Sequence, residues 1–331
     1  MMHSSDFTRL SRRSLLLGAA AALAARPFAA FARTSGFPAS AAIRNLDGQI
    51  RLPGGRCIGY ADFGSETGPL VLFCHGTPGS RLEAALIAEE ALAANVRLVA
   101  IDRPGVGLSS SASGRRILDW PSDAEAVADS LGYSGTAFGV VGISGGAPYA
   151  LACAKCIPHR LTHVAIVSGH SPMAEANSGR GSQDAMIEFM LRRPRLGMVV
   201  LKTIIRRLHK HPDKVIRRVL SETAASDQRL ILGDPTNYRG FHANLLAATS
   251  QGAGQVMYAI RRLALSWGFR LADVPTFPIS IWQGGCDPIA PPAAGRYFHR
   301  QLAGSELILD PSAGHATMLK WHAKEIFARF G

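Results

Sequence analysis

The chain has 331 residues, 47% of them hydrophobic, enough for one large domain or two modest ones with a filled core, which excludes a disordered chain. Its formal charge is +12; the first 32 residues carry +3 of it (Arg9, Arg12, Arg13 and Arg26 against Asp6), which leaves +9 (12 − 3) on the remainder. Five cysteines, Cys57, Cys74, Cys153, Cys156 and Cys286, are an odd number spread over a long chain, which excludes a disulfide framework of the small secreted kind.

The N-terminus reads as a targeting segment. Ser11-Arg12-Arg13-Ser14 leads into an apolar stretch that ends at Ala25, too short to span a bilayer, and Ala30-Phe31-Ala32 offers a small-residue cleavage site. The adjacent arginines resemble a twin-arginine export signal. Residues 1–32 are therefore expected to be removed after Ala32, leaving a mature chain that is exported, periplasmic or secreted. No later stretch is long and apolar enough to be a transmembrane segment.

Residues 33–48 read as a loose lead-in. Gln49–Leu52 and Arg56–Ala61, on either side of Pro53-Gly54-Gly55, predict a β-hairpin. Leu70–Cys74 predicts a short strand running into His75-Gly76-Thr77-Pro78-Gly79-Ser80, followed by a helix from Glu83 to Ala94. Arg97–Ile101 is the next strand, closing on Asp102-Arg103-Pro104-Gly105, and Pro121–Leu131 is a helix with proline in its first turn.

Phe138, Val140, Val141 and Ile143 then form an apolar run, and residues after Ala147 suit a helix. Between them stands Gly142-Ile143-Ser144-Gly145-Gly146, a G-x-S-x-G pattern. Three fixed residues recur easily by chance in a chain with 34 glycines. Placed between a buried strand and a helix, however, the pattern builds a sharp turn with Ser144 Oγ at its tip, and Gly142 and Gly146 spare it collisions with neighbouring backbone. Cys153-x-x-Cys156 falls on the following helix; with no second ligand pair it reads as two buried small apolar residues, and no metal or cofactor is expected.

Leu161–Val167 is another strand, so strands and helices alternate, and a mainly parallel α/β sheet covered by helices on both faces is expected. From Pro172 to Leu271 strand signals vanish. Helices are predicted over 182–193, 196–210, 213–224, 235–250 and 255–267, a helical cap inserted after the sixth strand. The domain reading is thus a core of 33–171 and 272–331 with a cap of 172–271. Residues 180–220 hold eleven Lys/Arg and three Asp/Glu, either the solvated faces of amphipathic helices or a surface for an anionic partner. The arginines are not interleaved with aromatics, so nucleic acid is not expected.

The strand pattern resumes at Pro278–Gln283, which ends in Gly284-Gly285-Cys286-Asp287, and a helix follows over Pro291–Leu302. Glu306–Leu309 is a strand leading to Gly314-His315, and a helix runs on to Phe330. A serine hydroxyl needs a base and a third group that orients the base. Ser144, Asp287 and His315 each follow a predicted strand, in the chain order serine, acid, histidine. Asp310 lies too near His315 in sequence to be its partner. An oxyanion needs two backbone N–H donors; Gly145 and Thr77, the latter held after His75-Gly76, are the candidates, since Pro78 has no N–H.

From residue 47 onward the chain resembles the α/β-hydrolase superfamily, its cap-bearing bacterial members in particular. The matching pieces are H-G-T-P-G-S at 75–80, D-R-P-G-V-G-L-S at 102–109, G-I-S-G-G at 142–146, W-Q-G-G-C-D-P at 282–288 and G-H at 314–315, with Ser266-Trp267-Gly268-Phe269 similar to the usual return from the cap. The resemblance implies Ser144 as nucleophile, His315 as general base then acid, Asp287 as its orienting partner, and Thr77 and Gly145 as oxyanion donors. Serine at the elbow, where epoxide hydrolases and dehalogenases of this fold carry aspartate, disfavours those activities, and H-G-T-P in place of H-G-G-P-G leans away from peptidases. The expected activity is hydrolysis of a small-molecule carboxylic ester, thioester or lactone with an apolar portion. The alternatives are acyl transfer on the same triad, or ligand binding with slow or no turnover.

Overall fold

The computed structural model describes residues 40–173, 175 and 179–331. The expected export signal and the expected cleavage after Ala32 lie outside the described residues. An eight-stranded sheet forms the centre, in the order β1-β2-β4-β3-β5-β6-β7-β8. Its strands are β1 (Ile43–Arg51), β2 (Cys57–Gly64), β3 (Leu70–Cys74), β4 (Arg97–Ile101), β5 (Phe138–Ile143), β6 (Leu161–Val167), β7 (Ile279–Gly284) and β8 (Glu306–Asp310). β1 pairs antiparallel with β2, and β2 with β4; every other pairing is parallel. The parallel part follows from sequence: β3, β5 and β7 are buried along their whole length, as strands covered on both faces must be.

Strand alternation sorts the core into two layers. Leu70, Leu72 and Val140 face one layer, built with Trp120 and Val127 of α2 (Trp120–Ala128), Leu151 of α3 (Ala147–Cys156) and Phe298 of α10 (Pro292–Gln301). Val71, Phe73 and Val141 face the other, built with Ala88 of α1 (Ala88–Ala93), Met318 of α11 (His315–Trp321) and Phe327 of α12 (Ala323–Phe327). Because these strands run parallel, their carboxyl ends share one edge, and His75, Asp102, Ser144, Ser168 and Asp287 follow from them there.

Between β6 and β7 lie α4 (Asp184–Arg192), α5 (Pro194–Lys210), α6 (Pro212–Leu220), α7 (Ala225–Leu232), α8 (Pro235–Thr249) and α9 (Ala253–Ala264). They hold two apolar clusters of their own, one around Met190, Leu201 and Met257, the other around Ile216, Ile231 and Leu245. Polar contacts tie them to the strand-end loops. Ser80 donates its N–H to Asn244 Oδ1 at 2.8 Å, and Gln251 Nε2 donates to the carbonyls of Gly107 and Ser109.

Several local expectations need correction. The lead-in is partly strand, because Ile43 and Asn45 pair with Phe63 and Asp62 of β2; the run 44–48, polar but for Leu46, hides this until its partner is known. The helix expected from Glu83 begins as a tight three-residue-per-turn helix over Arg81–Ile87. The segment expected as one helix over 213–224 stops at Leu220, and α7, unforeseen, follows it. The helix over 255–267 ends at Ala264, so that Trp267 turns inward to stack on Phe298 with ring centroids 6.4 Å apart. Cys153 is buried as expected, but Cys156, on the last turn of α3, is exposed; all five cysteines are free.

Candidate active site

The turn after β5 is as tight as its glycines imply. Ser144 has φ +52°, a left-handed conformation that costs a non-glycine residue of order 1 kcal/mol or more and persists only where the surroundings enforce it. Here β5 is pinned between β3 and β6 while α3 starts three residues later, so the chain must reverse within Ser144–Gly146. A Cβ on Gly146 would fall on the carbonyl oxygen of Cys74, and one on Gly142 would come within 2.8 Å of the Ala150 side chain. The Ser144 carbonyl accepts the N–H of His170 at 3.0 Å, and Ser144 keeps 8% of its surface open.

His315 is the first residue of α11, and its Nδ1 lies 2.8 Å from Asp287 Oδ2. Asp287 is 2% exposed, and its Oδ1 accepts the N–H groups of Ile289 and Ala290 at 2.9 and 3.0 Å. An ionised carboxylate only accepts, so the ring carries its proton on Nδ1 and leaves the Nε2 lone pair available to a substrate-side group; this tautomer is assigned from the partners. Burial depresses the pKa of His315, but the charge and hydrogen bond of Asp287 outweigh it, aided by Asp227 and Glu83, and the net shift is upward. Asp310 is engaged elsewhere, with His322 Nε2 at 2.9 Å.

Thr77 lies against Gly145: a Cβ on Gly145 would stand 3.2 Å from the Thr77 nitrogen and inside contact of the Thr77 side chain. The two expected oxyanion donors are thus neighbours, and a Cβ on Gly76 would lie in ordinary contact with the Cβ of Ser144, at 3.4 Å. The loop 75–79 is held from outside. Arg103, 3% exposed and directly after β4 and Asp102, donates to the carbonyls of His75 and Gly76 and to Thr77 Oγ1, the last at 2.8 Å. Its guanidinium lies over the Tyr149 ring, 4.7 Å from the centroid.

His75 is fully buried, and its Nε2 accepts the Arg103 N–H at 3.2 Å while Nδ1 donates to the Gly76 carbonyl at 2.9 Å. Burial, then the charge of Arg103, holds its pKa well below the ordinary histidine value, so it is neutral and structural. Glu83 Oε2 accepts the Gly76 N–H at 2.6 Å. Loss of hydration raises the Glu83 pKa above the usual carboxyl range in spite of that bond.

Three side chains around the site were not singled out from sequence: Arg103, Glu83 and Asp227. Arg103 belongs to the D-R-P-G-V-G-L-S stretch, whose spacing alone gives it no role. Glu83 read only as a helix starter. Asp227, 1% exposed on α7, accepts the N–H groups of His315, Ala316 and Thr317 and the Thr317 hydroxyl, at 2.8 to 3.0 Å. It caps the helix that begins with His315, from 88 residues away, and no local signal announces a cap at that distance.

Comparison with known proteins bears on the fold. The esterase EaEST from Exiguobacterium antarcticum superposes with a TM-score of 0.64 at 17% identity, covering 86% of this chain and 97% of its own. A bromoperoxidase from Bacillus anthracis gives a TM-score of 0.64 at 20% identity, over 85% and 97%. At these identities the likeness establishes the fold. A pimeloyl-acyl-carrier-protein methyl ester esterase of Neisseria meningitidis serogroup B is 40% identical over 60 residues, 18% of this chain; the match spans 23% of that relative, under a quarter of its length. The profile of the alpha/beta hydrolase family, by contrast, matches residues 71–329, the greater part of the chain and, Leu70 excepted, every strand from β3 onward. The chain belongs to the alpha/beta hydrolase family.

Proposed function

We propose that the protein hydrolyses a carboxylic ester, thioester or lactone through an acyl-enzyme on Ser144. The observation that carries this reading is the 2.8 Å contact of His315 Nδ1 with the buried Asp287, at the sheet edge where Ser144 is held at φ +52°. In the first step Ser144 Oγ attacks the carbonyl carbon while its proton passes to His315 Nε2. Asp287 fixes the ring and stabilises the imidazolium. The oxyanion accepts hydrogen bonds from the N–H groups of Thr77 and Gly145, at the amino end of the turn into α3, where the helix dipole favours negative charge. The C–O (or C–S) bond breaks, and His315 returns the proton to the departing group. Water, deprotonated by His315, then attacks the acyl carbon; the Ser144 ester bond breaks and Ser144 regains its proton.

The short stretch shared with a methyl ester esterase supports an ester as the scissile group. Helices α4–α9, tied to the loops around the site through Asn244 and Gln251, act as the cap that selects the substrate, whose apolar portion they receive. Residues 1–32 direct export and are cleaved after Ala32, which N-terminal sequencing of the secreted or periplasmic protein tests. The activity is tested with a fluorophosphonate probe and p-nitrophenyl butyrate. Wild-type protein is labelled on Ser144 and releases nitrophenol; Ser144→Ala does neither. Absence of labelling in the wild type, or unchanged labelling in Ser144→Ala, refutes the reading.

A further inference from the structure

The basic stretch noticed in the sequence acquires a second property once folded. From Phe189 to Pro212 there are seven Lys/Arg (Arg192, Arg193, Arg195, Lys202, Arg206, Arg207 and Lys210) and no Asp or Glu. Among the described residues none of the seven makes a salt bridge. All seven are exposed. Large apolar side chains are exposed in and beside this stretch: Phe189 on α4, with Met186 just before it across Glu188, which pairs with Arg180, then Leu196, Val199 and Ile204 on α5, between 42% and 60% open. Only Leu265 and Trp321 are comparably exposed elsewhere among the described residues. The inner faces of the same helices are satisfied, since Met190 and Leu201 pack with Met257 of α9. The outer apolar residues are therefore surplus to the core.

Helical spacing puts Leu196, Val199 and Thr203 on one side of α5, with Arg195, Arg206, Arg207 and Lys210 flanking or continuing it. A solvated surface helix would exchange those apolar residues for polar ones or balance its cations with Glu or Asp. A polyanion in solution would use the cations and leave the leucine and valine in water. A surface that offers both negative charge and an apolar layer just beneath it uses both sets. We propose that the outer face of α4 and α5 docks on an anionic lipid surface, with Leu196 and Val199 entering the headgroup layer and the unpaired cations meeting the phosphates.

The test is co-sedimentation of the full mature protein with phosphatidylcholine vesicles containing about one quarter phosphatidylglycerol, against phosphatidylcholine alone. It reads binding and is independent of Ser144, so loss of hydrolysis and loss of docking are told apart. Binding is expected to the anionic vesicles only and to weaken as salt shortens the screening length from about 10 Å at 0.1 M to about 3 Å at 1 M. The double variant Arg206→Gln/Arg207→Gln loses about 25-fold in affinity, at about fivefold per cation. Leu196→Ser/Val199→Ser loses about tenfold or more through its apolar contacts. Both pairs are solvent-facing, and thermal melting checks that each variant is folded. Arg51→Gln/Arg300→Gln removes the same charge from other exposed sites and leaves binding unchanged. The proposal fails if the protein does not pellet, if neutral vesicles bind it equally, or if the control pair weakens it as much. It also fails if heparin competes fully while the leucine–valine variant binds vesicles like wild type, which would mark a site for soluble polyanions.

Discussion

The carboxylate of Asp227, on a helix of the insertion, receives the backbone N–H of His315 at 2.8 Å. Its other oxygen takes the next two N–H groups and the Thr317 hydroxyl. The insertion thereby supplies the N-terminal cap of the helix on which the histidine stands and places a negative charge beside the ring. Both the position and the proton affinity of His315 depend on it.

Asp227→Asn keeps the shape but loses the charge and turns an N–H₂ group toward N–H donors. A histidine that acts as a base works only when neutral, and with its pKa raised the acid limb of kcat/KM lies above the ordinary histidine value of about 6.5. Asp287 and Glu83 also face the ring and remain in the variant, so the limb should move part of the way to lower pH, while kcat falls about 10- to 100-fold from misplacement of the ring. A pH–rate profile decides the matter: lower stability with an unmoved limb would make Asp227 a helix cap and nothing more.

Asp287→Asn is expected to be far more damaging to kcat. An asparagine oxygen still accepts from Nδ1–H, but its amide nitrogen facing that position would favour the opposite tautomer and remove the Nε2 lone pair. A loss on the order of 10⁴-fold in kcat with a near-normal melting temperature is the expected pattern. Burst and steady-state kinetics with p-nitrophenyl butyrate measure it.

Glu83 is expected to behave as an acceptor for Gly76 N–H rather than as an obligatory charge, since its pKa is raised by burial. Glu83→Gln retains a carbonyl oxygen at the same reach and should stay within a few-fold of wild type. Glu83→Ala orphans the Gly76 N–H at a cost of about 1–3 kcal/mol and loosens the loop that carries Thr77. Equal activities of the two variants would show that the hydrogen bond is dispensable.

Gly146→Ala tests the elbow's packing. The added methyl must enter space held by the Cys74 carbonyl, which is backbone in a central strand and has little room to move. Destabilisation of about 1–3 kcal/mol or more is expected, seen as a lower urea midpoint with accompanying loss of fluorophosphonate labelling. A variant as stable as wild type would mean that the turn relaxes more freely than its geometry implies.

Much of the candidate site is local in origin and therefore readable from residue order. Ser144 could be placed because a buried strand, two glycines and a helix are consecutive in the chain. Asp287 and His315 could be placed because each follows its own strand, and parallel strands bring their carboxyl ends together whatever lies between them. The start of β1 was not readable, because 44–48 is polar but for Leu46 and becomes strand only through pairing with β2. Nor was α7, whose eight residues have no strong apolar stripe and are held by the cluster around Ile231.

Residue order alone was enough to read the parallel strands from β3 onward and the candidate residues that follow them, because hydrophobic periodicity, turn chemistry and parallel connection act over a few neighbouring residues. Which groups hold those residues in place emerges only from the packed fold. Arg103 reaches back across 26 residues to Thr77, and Asp227 reaches forward 88 to His315. Such contacts arise when separate elements are packed to satisfy buried donors and charges, a requirement imposed by removal from water and not by order along the chain.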